Sequence, residues 1–140
     1  MKDKIKGEKR LIQSSQFGSL EIEVDYVFHF KEGILGFEEL RDFVLISDED
    51  TVPFKWLISL EEPAIGFPLL NPWHIMLEYE PGVKIDLNTE APLVVVTLED
   101  ENGLMTANLK APILLNVKDM SGRQIILTSD KYSTNHVISK

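Results

Sequence analysis

Apolar residues recur at every second position along much of this chain, and that period limits its fold more than any other feature. In Leu20-Glu21-Ile22-Glu23-Val24 the apolar side chains alternate with charged ones. Successive strand side chains point to opposite faces, so this run reads as a half-buried strand. Tyr26, Phe28 and Phe30 continue it with Val27 and His29 opposite, and Asp25 between the runs marks a bend or bulge. Phe54, Trp56, Ile58 and Leu60 alternate with Lys55, Leu57 and Ser59. Met105, Ala107 and Leu109 alternate with Thr106 and Asn108. Ile113, Leu115 and Val117 alternate with Leu114, Asn116 and Lys118. Residues 93–98 are apolar almost throughout, the pattern of a strand buried on both faces.

Turn signals separate these runs. They include Gly33 and Gly36, the acidic loop Ser47-Asp48-Glu49-Asp50, Asn102-Gly103 and Ser121-Gly122. The sum is about eight to ten short strands, which predicts a mainly β, antiparallel barrel-like or sandwich-like single domain. Phe37, Leu40 and Phe43 stand at i, i+3 and i+6, so one short helical segment is expected near 37–42. Weak patterning makes residues 1–16 a loose arm and 133–140 a frayed tail, with one domain over 17–138.

A chain of 140 residues fits one domain and can bury a sizeable core without a staple. It has no cysteine, which excludes disulfides, thiolate metal sites and a cysteine nucleophile. No secretory signal or membrane-length apolar run is visible, so a cytoplasmic location is the default expectation. The net charge is −9, unevenly placed: residues 1–10 sum to +3, leaving −12 on the rest. Such a body repels a phosphate backbone, because nucleic-acid affinity depends on cations that release counterions. An acidic field instead suits a basic protein partner, or serves solubility alone.

Motifs for chemistry are missing. His29, His74 and His136 have no ligand partner at metal-binding spacing. No nucleophile elbow, phosphate loop or dinucleotide fingerprint occurs. The carboxylates at 48–50, 61–62 and 99–101 fall in turns, where solvated loop charge is the plain reading. The expectation is a protein without catalytic residue, metal or cofactor. The alternative is a small-molecule-binding barrel, or a hydrolase with its site in the barrel mouth.

Residues 105–116, MTANLKAPILLN, are distinctive. With Phe30-Lys31-Glu32-Gly33-Ile34-Leu35-Gly36-Phe37, Phe54-Lys55-Trp56-Leu57-Ile58-Ser59, Gly122-Arg123-Gln124-Ile125-Ile126-Leu127 and Tyr132-Ser133, the chain resembles the FliW flagellar assembly factor family. The resemblance runs in order from about residue 17 to residue 138, and T-A-N-L-x-A-P-I is its most specific element. Ile58 departs from it, since the family usually has glutamine there. The resemblance implies two protein partners, flagellin and the RNA-binding translational regulator CsrA. It implies that flagellin occupies this protein until export frees it to relieve CsrA repression. It implies no direct contact with nucleic acid or membrane. A monomer or weak homodimer is expected.

Two surfaces are candidates for the contacts. One is the polar side of the distinctive segment: Thr106, Asn108, Lys110, Pro112 and Asn116. Buried, these groups would be structural; exposed, they would meet a partner. Pro112 at a strand start suits a sheet edge. The other is the proline-broken apolar stretch over 64–77, with Phe67, Leu70, Trp73 and Met76. Such a stretch lines a groove for a partner helix or closes one end of the barrel. Phe54 and Trp56 read as core.

Overall fold

The computed structural model describes residues 9–15, 17–23, 26–82 and 85–139. Eleven strands are described: β1 Lys9–Ser14, β2 Gly18–Glu23, β3 Val27–Phe30, β4 Asp42–Ser47, β5 Lys55–Ser59, β6 Gly66–Leu70, β7 Glu90–Thr97, β8 Met105–Ala107, β9 Ile113–Asn116, β10 Ser121–Gln124 and β11 His136–Ser139. One short helix, α1, spans Pro72–Ile75, and a 3-10 turn spans Glu49–Thr51.

Seven strands close a barrel. Their order is β7-β6-β5-β4-β3-β10-β9, and β9 returns to β7 through Glu90↔Asn116 to Leu93↔Ile113. Strand β7 can do this because it is eight residues long. Its first half pairs with β9, and its second half pairs with β6 and β8. Strand β11 extends β8, and β1 pairs with β2 as a separate hairpin. Every pairing is antiparallel except β3 with β10, where Ser121 faces His29 and Gly122 faces Phe30.

Phe28, Phe30, Phe43, Leu57, Leu69, Leu93, Ile113 and Leu115 fill the interior. A barrel of this strand number is just wide enough for its own side chains. Phe30 and Phe43 meet edge to face at 5.2 Å. The parallel pairing brings Phe30 so near Gly122 that any Cβ there would overlap the ring. The glycine is required by space, not by its backbone angle.

The period-2 reading of β5 is half of the story. Its last four residues are all buried. Leu57 turns into the barrel, while Trp56 and Ile58 lie under the β1–β2 hairpin with Ile12 and Val44. Phe17 stands edge-on to Trp56 at 5.5 Å, and the indole N–H donates to Thr51 Oγ1 at 3.0 Å. An isolated hairpin is marginal in water, so this docking holds it. Burying Ile12 alone contributes about 2 kcal/mol.

Several expectations change. Residues 37–42 form consecutive turns and no helix: Phe37 N–H reaches the Ile34 carbonyl, and Leu40 N–H reaches that of Phe37. Gly36 at φ +85° redirects the chain before a helical turn can build. The short helix lies instead at α1, started by Pro72 and capped by Asn71, whose Oδ1 accepts the Trp73 amide. Of the arm expected over 1–16, Lys9–Ser14 is a strand, and its first eight residues lie outside the described ones, as does Asp25. The tail expected to fray carries β11. Pro112 precedes β9, a strand paired on both sides, so it marks no sheet edge.

An ion pair spans the closure. Arg123 on β10 reaches over β9 to Glu90 on β7, with Nε donating to Oε2 at 2.9 Å and a second N–H donating to Oε1 at 3.1 Å. The Arg123 hydrogen bonds hold Glu90 below the usual carboxylate range, although burial opposes this. A depressed carboxylate pKa stabilises the fold fully above its unfolded value of about 4.3, and this is lost as pH falls through the folded value. Arg123→Met is expected to cost about 1 kcal/mol at pH 7, because the guanidinium is half exposed and screened. Urea unfolding of both proteins should show that gap closing in acid. Gly122→Ala is expected to cost at least ~1–3 kcal/mol through overpacking against Phe30, read as a lower urea midpoint.

Candidate functional site

The distinctive 105–116 segment is a structural knot. Thr106 is buried, at 5% exposed. Asn108 Oδ1 accepts the Ala111 amide at 3.0 Å, and its own amide donates to the Val95 carbonyl. Lys110 Nζ donates to the Ser129 carbonyl at 3.1 Å. The Pro112 carbonyl accepts from the Ile125 amide, and Gln124 Nε2 donates to the Ala111 carbonyl. Asn116 Oδ1 accepts the Lys118 and Asp119 amides and shapes the turn after β9. Of these five candidates, Lys110 and Pro112 tie residues 124–133 to the sheet, Asn108 and Asn116 close local turns, and Thr106 pairs with Val137 of β11. Thr106 and Pro112 are buried, whereas Asn108, Lys110 and Asn116 are partly exposed.

Two tyrosines complete the knot. Tyr79 donates its hydroxyl to the Leu109 carbonyl at 2.7 Å, and Tyr132 accepts the Glu80 amide at 2.8 Å. Their rings pack 4.7 Å apart. Burial pushes the Tyr79 phenol up, and Tyr132 adds to this, so Tyr79 stays a neutral donor. Sequence reading passes over Tyr79 and takes Tyr132 only as part of the family's C-terminal end, since their partners lie 30 and 52 positions away.

The candidates from 64–77 do not share one surface. Phe67 lies at the start of β6 and packs on Phe37 and Phe43. Leu70 is buried in a second cluster with Tyr79, Val94 and Leu109, and Met76 packs against that cluster. Trp73 alone of the four lines the apolar groove, of about 450 Å³, at one barrel mouth. Its indole N–H donates to the Tyr79 carbonyl at 2.8 Å, which fixes the ring.

Leu69, Leu93 and Leu115 are among the residues that line this groove, and the buried barrel core lies behind them. Val52 and Val117 line it too, at 72% and 63% exposed. Its ionisable groups are Lys55 and His74, and no carboxylate lines it. Lys55 Nζ donates to Ser47 Oγ at 3.0 Å and has two further N–H groups. On so acidic a body this is an apolar surface with a weakly positive lip. Ile58, the departure from the expected glutamine, is fully buried under the hairpin.

Buried side chains pack the barrel interior. Among the described residues no cluster of three or more metal-ligating side chains occurs. No helix there is long and apolar enough to cross a membrane. Asn108→Ala and Tyr79→Phe each remove one partner of a backbone group in the knot. Each is expected to cost about 1–2 kcal/mol, with no change at the groove, measured by urea unfolding and by partner titration.

The sequence profile of the FliW protein family matches residues 10–138. A protein of Thermotoga petrophila named flagellar assembly factor FliW is 37% identical over 140 aligned residues, covering 93% of this chain and 94% of that one. Its namesake from Thermoanaerobacter pseudethanolicus is 39% identical over 137, covering 91% of each. A crystal structure of the flagellar assembly factor FliW superposes with a TM-score of 0.81 at 35% identity, covering 94% of this chain and 98% of that one. Fold, profile and relatives agree along nearly the whole length, and the chain belongs to the FliW protein family.

Proposed function

We propose that this flagellar assembly factor binds flagellin in the cytoplasm and antagonises the translational regulator CsrA, so that free flagellin sets its own synthesis. The observation that carries this reading is the family match over residues 10–138. The relatives are named for assembly and not for a reaction.

Physical chemistry supports the same reading. The barrel interior is full, so recognition falls to outer surfaces. The groove at Trp73 is apolar and wide enough for two or three side chains of an amphipathic helix. Flagellin segments that are unpaired before filament assembly have such apolar faces to cover. A body of net charge −12 repels RNA phosphates near any regulator docked on it, so antagonism is partly electrostatic. A monomer or weak homodimer suffices for both roles.

Titration calorimetry with flagellin and with CsrA, singly and then each in the presence of the other, tests the proposal. Each is expected to bind alone, and each is expected to weaken the other. No heat with either partner would refute the function. Raising salt is expected to weaken CsrA binding and RNA displacement together; if neither changes, the electrostatic part is wrong.

A further inference from the structure

Two loops meet at the barrel end opposite the groove. One joins β3 to β4 and the other joins β5 to β6. They are clamped together: the Glu61 carboxylate accepts the Arg41 amide at 3.0 Å and the Asp42 amide at 3.2 Å. The Leu60 amide donates to the Asp42 carbonyl at 2.9 Å. Gly33 takes φ +68° with the Glu38 backbone against it, so the first loop has one tight path. The cleft between the loops is preformed.

Its floor is apolar, built from Phe37, Leu40 and Ile65. Phe37 stands edge-on to Phe67 at 5.1 Å, and Phe43 and Phe30 continue the ring contacts into the core. The floor therefore resists displacement, yet Phe37 is 36% exposed and nearby Leu35 is 51% exposed. The rim is acidic, from Glu38, Glu39 and Glu62. Glu38 accepts the Gly36 amide, whereas the Glu39 and Glu62 carboxylates make no bond among the described residues. The neighbouring Arg41 directs its Nε to the Glu38 carbonyl, at 3.3 Å.

The geometry points to this cleft as the docking site for a basic, amphipathic segment of a protein partner. One bulky apolar side chain rests on Phe37, Leu40 and Ile65, and Lys or Arg side chains cross to Glu39 and Glu62. Burying the apolar contact excludes water and strengthens the charge pairing at the rim. The inference rests on the proposed function in one respect: an RNA-binding regulator is the basic partner of the two, since it carries cations for phosphates. The groove at Trp73, with Lys55 and no carboxylate, is left to flagellin. The five residues of β5 between the two ends span about 17 Å. The first contacts therefore differ, while a bound protein is broad enough to overhang about 17 Å, so each partner still weakens the other.

The test compares three full-length proteins by calorimetry: wild type, Glu39→Lys/Glu62→Lys, and Glu99→Lys/Glu101→Lys as a control of equal net charge. All four positions are exposed. The titrants are CsrA, flagellin and a synthetic peptide of alternating lysine and leucine. The cleft variant is expected to lose CsrA and peptide binding at least tenfold and to keep flagellin binding. The control is expected to lose less than threefold. Equal losses in both variants would reduce the effect to a general field and overturn the site, as would no loss in either. If wild type binds the peptide through the cleft but not CsrA, the site stands and the proposed function falls. If wild type binds neither titrant, both fall.

Discussion

Phe30 lies against Gly122, and the barrel closes on that contact. The two residues face each other across the one parallel pairing among the described strands. A larger residue at 122 would push β10 from β3 and open the interior that Phe30 and Phe43 fill. The Arg123–Glu90 pair then straddles β9 beside the same closure. The closed interior is packed with phenylalanine and leucine, and the apolar groove opens at one mouth. The two mouths differ in charge, with Lys55 and His74 at one and Glu38, Glu39 and Glu62 at the other.

Closure also explains the satellite parts. Strand β7 is longer than its neighbours in the barrel, so its second half projects past β9 and takes β8 and β11. That extension needs its own core, supplied by Tyr79, Val94, Leu109 and Tyr132. The backbone groups of the irregular segment over 108–112 cannot join a ladder, so side chains and the returning chain satisfy them. On the opposite wall, Trp56 and Ile58 would face water if the β1–β2 hairpin did not cover them. The glutamine expected at Ile58 is replaced by a side chain suited to that covered position.

Much of the fold was legible because strands announce themselves by period. Alternation located β2, β3, β5, β8 and β9, and unbroken apolarity located β7. The short helix was misplaced because Phe37, Leu40 and Phe43 fit helical spacing as well as a run of turns. Only Gly36 and the bridge between Ile34 and Phe37 distinguish the two. The candidate surfaces were less legible. In the 105–116 motif Asn108 bonds Ala111 and Lys110 bonds Ser129, partners that no local pattern announces. Of the 64–77 set, strand direction sends Phe67 and Trp73 to opposite ends of the barrel. By sequence Glu62 reads as solvated loop charge, and Glu38 and Glu39 are ordinary loop carboxylates until Phe37 and Ile65 stand between them.

The sequence by itself determined the class of fold, the family and the acidic balance, because alternation, ordered motifs and charge are local or additive properties. Tertiary structure alone decided which side chains pack the barrel, which bonds its most distinctive segment makes, and that two unlike surfaces lie at opposite ends. Each of those depends on contacts between residues dozens of positions apart, such as Phe30 with Gly122 and Tyr79 with Leu109, and no local pattern encodes them.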